Sequence, residues 1–294
     1  MSNPTSTPTP LTWLVTGCSS GFGLSLTRLL LSTPHIVIAT SRDPSRTLDL
    51  VRLVTSAKPL NRWLALDVTS PSSTTFVADL EASGVHIDIL VNNAGYSIFA
   101  PIETVKEDEI RAQMETVFFG PLRLTQAVLP GMRARKSGTI VNFSSGAALE
   151  GQPTMGVYAG AKAGLDGVAK VLAKEVAPFG IRILTVVLGT FNTNMGNAAV
   201  FGEVGLPEGY EGTMTDNFLQ IMKSGTWPPN GDKEKAMKAV YEVVVGQGVG
   251  EGRETEKLLL LGSDMVARAT GVREQLEHAV EVFGDVAKGC DVEK

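Results

Sequence analysis

Tyr158 and Lys162 stand four residues apart, and Ser145 precedes the tyrosine by thirteen. Residues at i and i+4 share one face of a helix. Ser145 ends an apolar run of strand-like composition, residues 139–143, so the three side chains can converge where that strand hands over to the helix. A phenol on its own titrates near ~10, and a neighbouring ammonium favours the phenolate, which lowers that value toward working pH. Such a tyrosine can exchange a proton with a carbonyl or hydroxyl oxygen while the serine hydroxyl holds that oxygen. A helical tyrosine beside a solvated lysine has the same spacing, so the surrounding residues must decide.

Those residues point to a nucleotide. Thr16-Gly17-Cys18-Ser19-Ser20-Gly21-Phe22-Gly23 lies between an apolar run at residues 11–16 and a stretch of helical spacing at 24–31. Glycines there allow a tight turn and a close approach of backbone to a pyrophosphate, which the helix N-terminus stabilises. A glycine-rich turn without function remains the alternative, and the placement between strand and helix argues against it. Gly17, Ser19, Ser20, Gly21, Phe22 and Gly23 are the candidate contacts. The second apolar run ends in Thr40-Ser41-Arg42-Asp43. A carboxylate at that strand end would take the ribose hydroxyls, whereas an arginine suits a 2′-phosphate. Ser41 and Arg42 precede Asp43, so the expected cofactor is NADP(H). Asn92-Asn93-Ala94-Gly95 follows the fourth run, again at a carboxyl end.

The elements that must position these groups alternate. Apolar runs at 11–16, 35–40, 62–66, 87–91, 139–143, 181–188 and 258–261 are separated by helix-like stretches. That alternation predicts right-handed crossovers and a parallel sheet covered on both faces. The expectation is an α/β doubly wound Rossmann fold of about seven strands, with a flexible tail at 1–10 and one domain over 11–294. Residues 192–233 break the rhythm with Gly, Pro, Met and Phe and no clear strand. An overhang after the sixth strand would lie above the carboxyl ends of the strands, where ligands bind in open sheets. Met195, Phe201, Met214, Phe218, Met222 and Trp227 suit a substrate lid better than a solvated surface insertion.

The 294 residues are 43% hydrophobic and 19% charged, which excludes a disordered chain. The net charge of −5, without a basic stripe, gives no footing for nucleic acid. Two cysteines, Cys18 and Cys290, and three scattered histidines offer neither a disulfide framework nor a metal site. No stretch approaches the ~20 apolar residues of a membrane span, and the first ten residues lack the pattern of a secretory signal. A cytoplasmic location is expected.

Together these residues resemble the short-chain dehydrogenase/reductase family, in its standard-length, single-domain branch, from residue 11 to about 284. The turn from Thr16-Gly17 to Gly23, Asp67-Val68, Asn92 to Gly95, Ser145, and Tyr158 with Lys162 carry the likeness. The stretches 120–130 and 258–264 look like the hydroxysteroid and retinol dehydrogenase type. The resemblance implies that Tyr158 is the acid/base and Ser145 the oxyanion partner, while Lys162 binds the nicotinamide ribose and depresses the tyrosine pKa. It also implies that Asp67, with Val68, contacts the adenine, that Asn93, Ala94 and Gly95 line the adenosine side, and that Thr190 and Thr193 reach the nicotinamide end. It further implies a homodimer or homotetramer built through helices at about 107–135 and 157–177.

Two residues depart from the family pattern. Leu188-Gly189 stands where Pro-Gly is usual, and Val117 stands where the family places an Asn that serves a proton relay through water to the lysine. Pro121, four residues later, has no N–H to give the Val117 carbonyl, so a kink is expected there. The leading expectation is an NADPH-dependent reduction of a hydrophobic carbonyl substrate. A cofactor-shaped pocket for a dehydration or cyclisation, and a non-catalytic NADPH sensor, are the alternatives.

Overall fold

The computed structural model describes residues 9–193, 199–225 and 229–292. Seven strands form one parallel sheet in the order β3-β2-β1-β4-β6-β7-β9: β1 (Thr12–Val15), β2 (Ile36–Ser41), β3 (Arg62–Ala65), β4 (Ile89–Asn92), β6 (Gly138–Ser145), β7 (Ile181–Leu188) and β9 (Leu258–Leu261). A two-stranded parallel pair, β5 (Ile98–Phe99) with β8 (Val200–Phe201), lies apart from it. The helices are α1 (Gly21–Leu31), α2 (Leu48–Ala57), α3 (Ser73–Ala82), α4 (Glu107–Met114), α5 (Gly120–Arg135), α6 (Gly146–Glu150), α7 (Gly156–Glu175), α8 (Met214–Ser224), α9 (Lys233–Val245) and α10 (Ser263–Gly289).

The two-residue period of the strands divides the core in two. Trp13 and Val15 of β1 join Val37, Ala39, Val91 and Val186 under α1, α2 and α9. Leu14, between them in sequence, joins Ile38, Leu90, Ile140 and Ile183 under α3, α5 and α7. Both faces of each central strand are therefore buried, and the runs are continuously apolar for that reason.

Strand order reverses between β1 and β4, which pair in parallel through Trp13–Ile89, Leu14–Leu90 and Val15–Val91. The glycine turn follows β1 and Asn93 to Gly95 follow β4, so the two motifs face each other across the switch point. β7 extends through Leu188, opposite Ser145 on one side and Leu261 on the other. The strand thus continues to the point where the family pattern has proline.

The stretch expected to be irregular is in part regular. β8 pairs with β5, and α8 is capped by the Thr213 hydroxyl, which accepts from the Asp216 N–H at 3.4 Å. Its base is tied: Phe191 bridges Gly231, and the Asn192 N–H donates to the Gly231 carbonyl at 3.0 Å. Met195 and Trp227 lie outside the described residues. No described helix is long and apolar enough to cross a membrane.

Candidate active site

The glycine turn is shaped by two positive φ angles, +70° at Gly17 and +56° at Gly21, which L side chains rarely adopt. A Cβ on Gly23 would come within 2.4 Å of the Gly17 carbonyl oxygen, so that position admits no side chain. Asn93 braces the turn: its Nδ2 donates to the carbonyls of Thr16 (2.7 Å) and Gly17 (3.1 Å). The Thr16 hydroxyl accepts from the N–H groups of Asn93 and Ala94, both at 3.0 Å. The Asn93 amide therefore acts on the turn, a duty its place in the sequence did not reveal. Cys18 is buried beneath the turn, and burial pushes its thiol up to about 11, which makes it a packing residue. Ser20 makes no side-chain cap, and no acid stands in the first turn of α1. That helix N-terminus is open to an anion.

A groove of about 860 Å³ runs from this turn past Ser41, Arg42, Asp67 and Val68 to Ala94. At its far end the two residues assigned to a phosphate have different duties. The Ser41 hydroxyl is buried and accepts from the Trp63 indole N–H at 2.9 Å. Arg42 is exposed and has no ion-pair partner among the described residues, while its charge reaches the Tyr96 phenol across the groove. Asp43 is turned aside, accepting from the Ser45 N–H at 3.0 Å and the Ser45 hydroxyl at 2.5 Å. One uncompensated guanidinium at a groove lined by a glycine turn fits a phosphorylated ribose better than a bare one. Tyr96 and Thr116 also line the wall, and Thr116 is one the sequence reading did not single out.

The residues expected to transfer a proton lie on a second cavity of about 710 Å³. Ser145, Tyr158 and Lys162 all line it, so the strand and helix do bring the three together. Ser145 caps α6, its Oγ accepting from the Ala147 N–H at 3.2 Å, and its hydroxyl opposes the rise of the Tyr158 phenol. Lys162 Nζ donates to the Phe143 carbonyl at 2.5 Å and lies 5.8 Å from the centre of the Tyr158 ring. Thr190 is held by Asp264, whose Oδ2 accepts from its N–H at 3.1 Å.

The expectation that Lys162 draws the tyrosine pKa down is overturned. Burial pushes the Tyr158 phenol up to about 12, opposed by Ser145 and aided by the Asp166 carboxylate. The same burial brings Lys162 down to about 8, against the pull of Asp166. Both side chains are only 5% exposed, and a shell that excludes water penalises both charges. The ammonium is also engaged by the Phe143 carbonyl. Asp166 was missed by the sequence reading, although its place four residues after Lys162 is the signal that finds it.

Val117 is fully buried in an apolar cluster with Phe99, Tyr158, Ala161 and Leu219. The expected kink takes the form of a widened π turn over Glu115–Phe119, in which the Gly120 N–H donates to the Glu115 carbonyl five residues back. Phe218 and Met222 of α8 line the second cavity beside Phe99 and Met155, whereas Met214 is 73% exposed. One edge of this cavity is polar, with the Arg268 guanidinium held by Glu150 and Asp264.

A model of the short chain dehydrogenase family matches residues 12–201. The chain is 37% identical to the 3-ketodihydrosphingosine reductase of Bacteroides thetaiotaomicron, over 71% of this chain and 74% of that protein. Among solved structures, a short-chain dehydrogenase from Streptomyces avermitilis superposes with a TM-score of 0.84 at 33% identity, covering 97% of this chain and all (100%) of that one. A metagenomic short-chain oxidoreductase in complex with NADP superposes with a TM-score of 0.58 at 30% identity, over 61% and 82% of the two chains.

Proposed function

Because the chain belongs to the short-chain dehydrogenase family, we propose that it is an NADPH-dependent reductase of ketones or aldehydes on hydrophobic small molecules. The observation that carries this reading is the meeting of two cavities. The groove with the glycine turn and the pocket with Tyr158 share Phe22, Asn93, Gly95, Tyr96 and Thr193 as walls. Unpartnered Arg42 supports NADPH over NADH, as does the NADP-bound relative. A relative named for reducing a keto compound supports the reaction.

On this reading the N-terminus of α1 and the turn from Gly17 to Gly23 hold the pyrophosphate, and Arg42 holds the 2′-phosphate. Asp67, Val68 and the stretch Asn93 to Gly95 wall the adenosine side, and Lys162, Thr190 and Thr193 take the nicotinamide end. When bound, the dinucleotide supplies a hydride. Tyr158 donates its phenolic proton to the carbonyl oxygen, and Ser145 Oγ orients that oxygen. A phenol raised to about 12 stays protonated across the neutral range, which suits the reductive direction. Lys162, brought down to about 8, is an ammonium at pH 7 and loses that charge as the pH rises past its pKa. The aromatic and thioether wall of Phe99, Met155, Phe218 and Met222 favours an apolar substrate body.

The test is a panel of alkyl, polycyclic and small polar ketones with loss of NADPH absorbance as readout. Turnover of the bulky apolar ketones is expected, with little on the small polar ones. NADPH that binds without being consumed by any carbonyl compound would overturn the reading in favour of a non-redox reaction.

Val117 supplies a second expectation. With the family Asn absent, the backbone of the π turn carries the relay through solvent, and the side chain adds only orientation. Val117→Asn is therefore expected to raise turnover by at most about tenfold, ~1.4 kcal/mol of barrier. An amide buried among Phe99, Ala161 and Leu219 also costs stability, so thermal unfolding belongs beside the kinetics. A rise of several hundred-fold would assign the relay to the side chain instead.

A further inference from the structure

Tyr158, Lys162 and Asp166 follow one another at four-residue intervals on α7, and all three are buried. Two of them are tied to the end of β6: Lys162 donates to the Phe143 carbonyl at 2.5 Å, and the Ser144 hydroxyl donates to Asp166 Oδ2 at 2.6 Å. Two successive residues of one strand are thereby fixed to two successive turns of one helix, next to Ser145 and Tyr158, which line the same cavity. The Asp166 rung is costly to build, because a carboxylate only 9% exposed is held by one hydroxyl while its Oδ1 is buried without a partner. A serine and an alanine would pack there more cheaply.

We propose that Asp166 is a positioning residue of the reductase site: its carboxylate docks the Ser144–Ser145 end of β6 onto α7 and keeps Lys162 in its ammonium form. The inference rests on the reductase reading for its catalytic consequence only. Asp166 is the charged group that acts on both Tyr158 and Lys162. Lys170, one turn beyond and exposed, acts on Asp166 together with Lys162. Burial lowers the lysine, and Asp166 opposes that fall. Without the carboxylate charge, Lys162 loses its proton at a lower pH.

Two substitutions separate charge from docking. Asp166→Asn keeps the shape and a hydrogen-bonding group for Ser144 but removes the charge, whereas Ser144→Ala removes the bond and leaves the carboxyl group in place, raised by burial and opposed by Lys162 and Lys170 alone. The direct readout is NMR titration of isotope-labelled lysine side chains in the full-length protein, with Lys162 assigned by its absence in Lys162→Met. The Lys162 midpoint is expected to fall by about one unit or more in Asp166→Asn and to stay in place in Ser144→Ala and Asp166→Glu. In ketone reduction the alkaline limb of the pH–rate profile should move to lower pH with Asp166→Asn alone. Ser144→Ala should lower kcat by about ten- to a hundred-fold with its pH profile unmoved. An unchanged Lys162 midpoint in folded Asp166→Asn overturns the proposal, as does an Asp166→Glu variant that titrates like the Asn variant. If no carbonyl compound is reduced by the unmodified protein, the reductase reading fails, and the NMR titration still decides the charge role of Asp166.

Discussion

Replacement of Tyr158 by Phe is expected to lower kcat/KM for ketone reduction by about 10²–10⁴-fold while NADPH affinity stays near that of the unmodified protein. Phe keeps the ring and its packing against Val117, Phe99 and Ala161 and deletes the proton donor alone. Ser145 remains anchored through the Ala147 N–H, so the oxygen-orienting group stays in place when the phenol is gone. The pH dependence sharpens the test. A phenol pushed up to about 12 does not titrate in the neutral range, so the loss in Tyr158→Phe should be nearly constant between about pH 6 and 7, below the Lys162 transition. Steady-state kinetics with a saturating ketone, beside fluorescence titration of NADPH, check both halves. A Phe variant that reduces ketones at close to the original rate would show that another group delivers the proton.

Arg42→Ala is expected to weaken NADPH binding by about ten- to a hundred-fold, ~1.5–3 kcal/mol, and to leave NADH binding nearly unchanged. Three observations lead there. The Ser41 hydroxyl is engaged by Trp63, Asp43 is engaged by Ser45, and Arg42 is exposed without an ion-pair partner among the described residues. On the proposed reading, a preference for NADPH rests on one guanidinium. Because that group is exposed, its advantage should shrink with salt, whose screening length is about 10 Å at 0.1 M. Titrating both dinucleotides at low and high ionic strength measures the effect. Equal affinity of the unmodified protein for NADPH and NADH would remove Arg42 from cofactor choice.

Much of this architecture is written locally in the chain. The run 181–188 is legible because both faces of a central parallel strand are buried, which favours apolar residues, whereas 258–261 lies at the sheet edge, partly exposed, and is legible from its four leucines alone. The glycine turn is equally legible, since a positive φ at Gly17 and Gly21 is a property of the backbone itself. The segment 192–233 is the counter-example. Its short strand β8 exists because β5 lies alongside, and two residues cannot announce a strand whose partner is a hundred positions away. The amphipathic helix α8 was hidden by the glycines and prolines around it.

The chain by itself therefore determined the alternation of strands and helices, the glycine turn after the first strand, and the presence of Ser145, Tyr158 and Lys162 on one strand end and one helix face. All of these follow from residue type and period, which act over a few neighbouring positions. The tertiary structure alone decided which polar groups were already engaged: Asn93 by the glycine turn, Ser41 by Trp63, and Lys162 by the Phe143 carbonyl. It also reversed the sign of the tyrosine shift. Spacing shows that an ammonium is near Tyr158, but the free energy of a charge depends on how much water surrounds it. That water is excluded by Phe99, Val117 and Leu219, residues drawn from three distant parts of the chain, and only the folded shell brings them together.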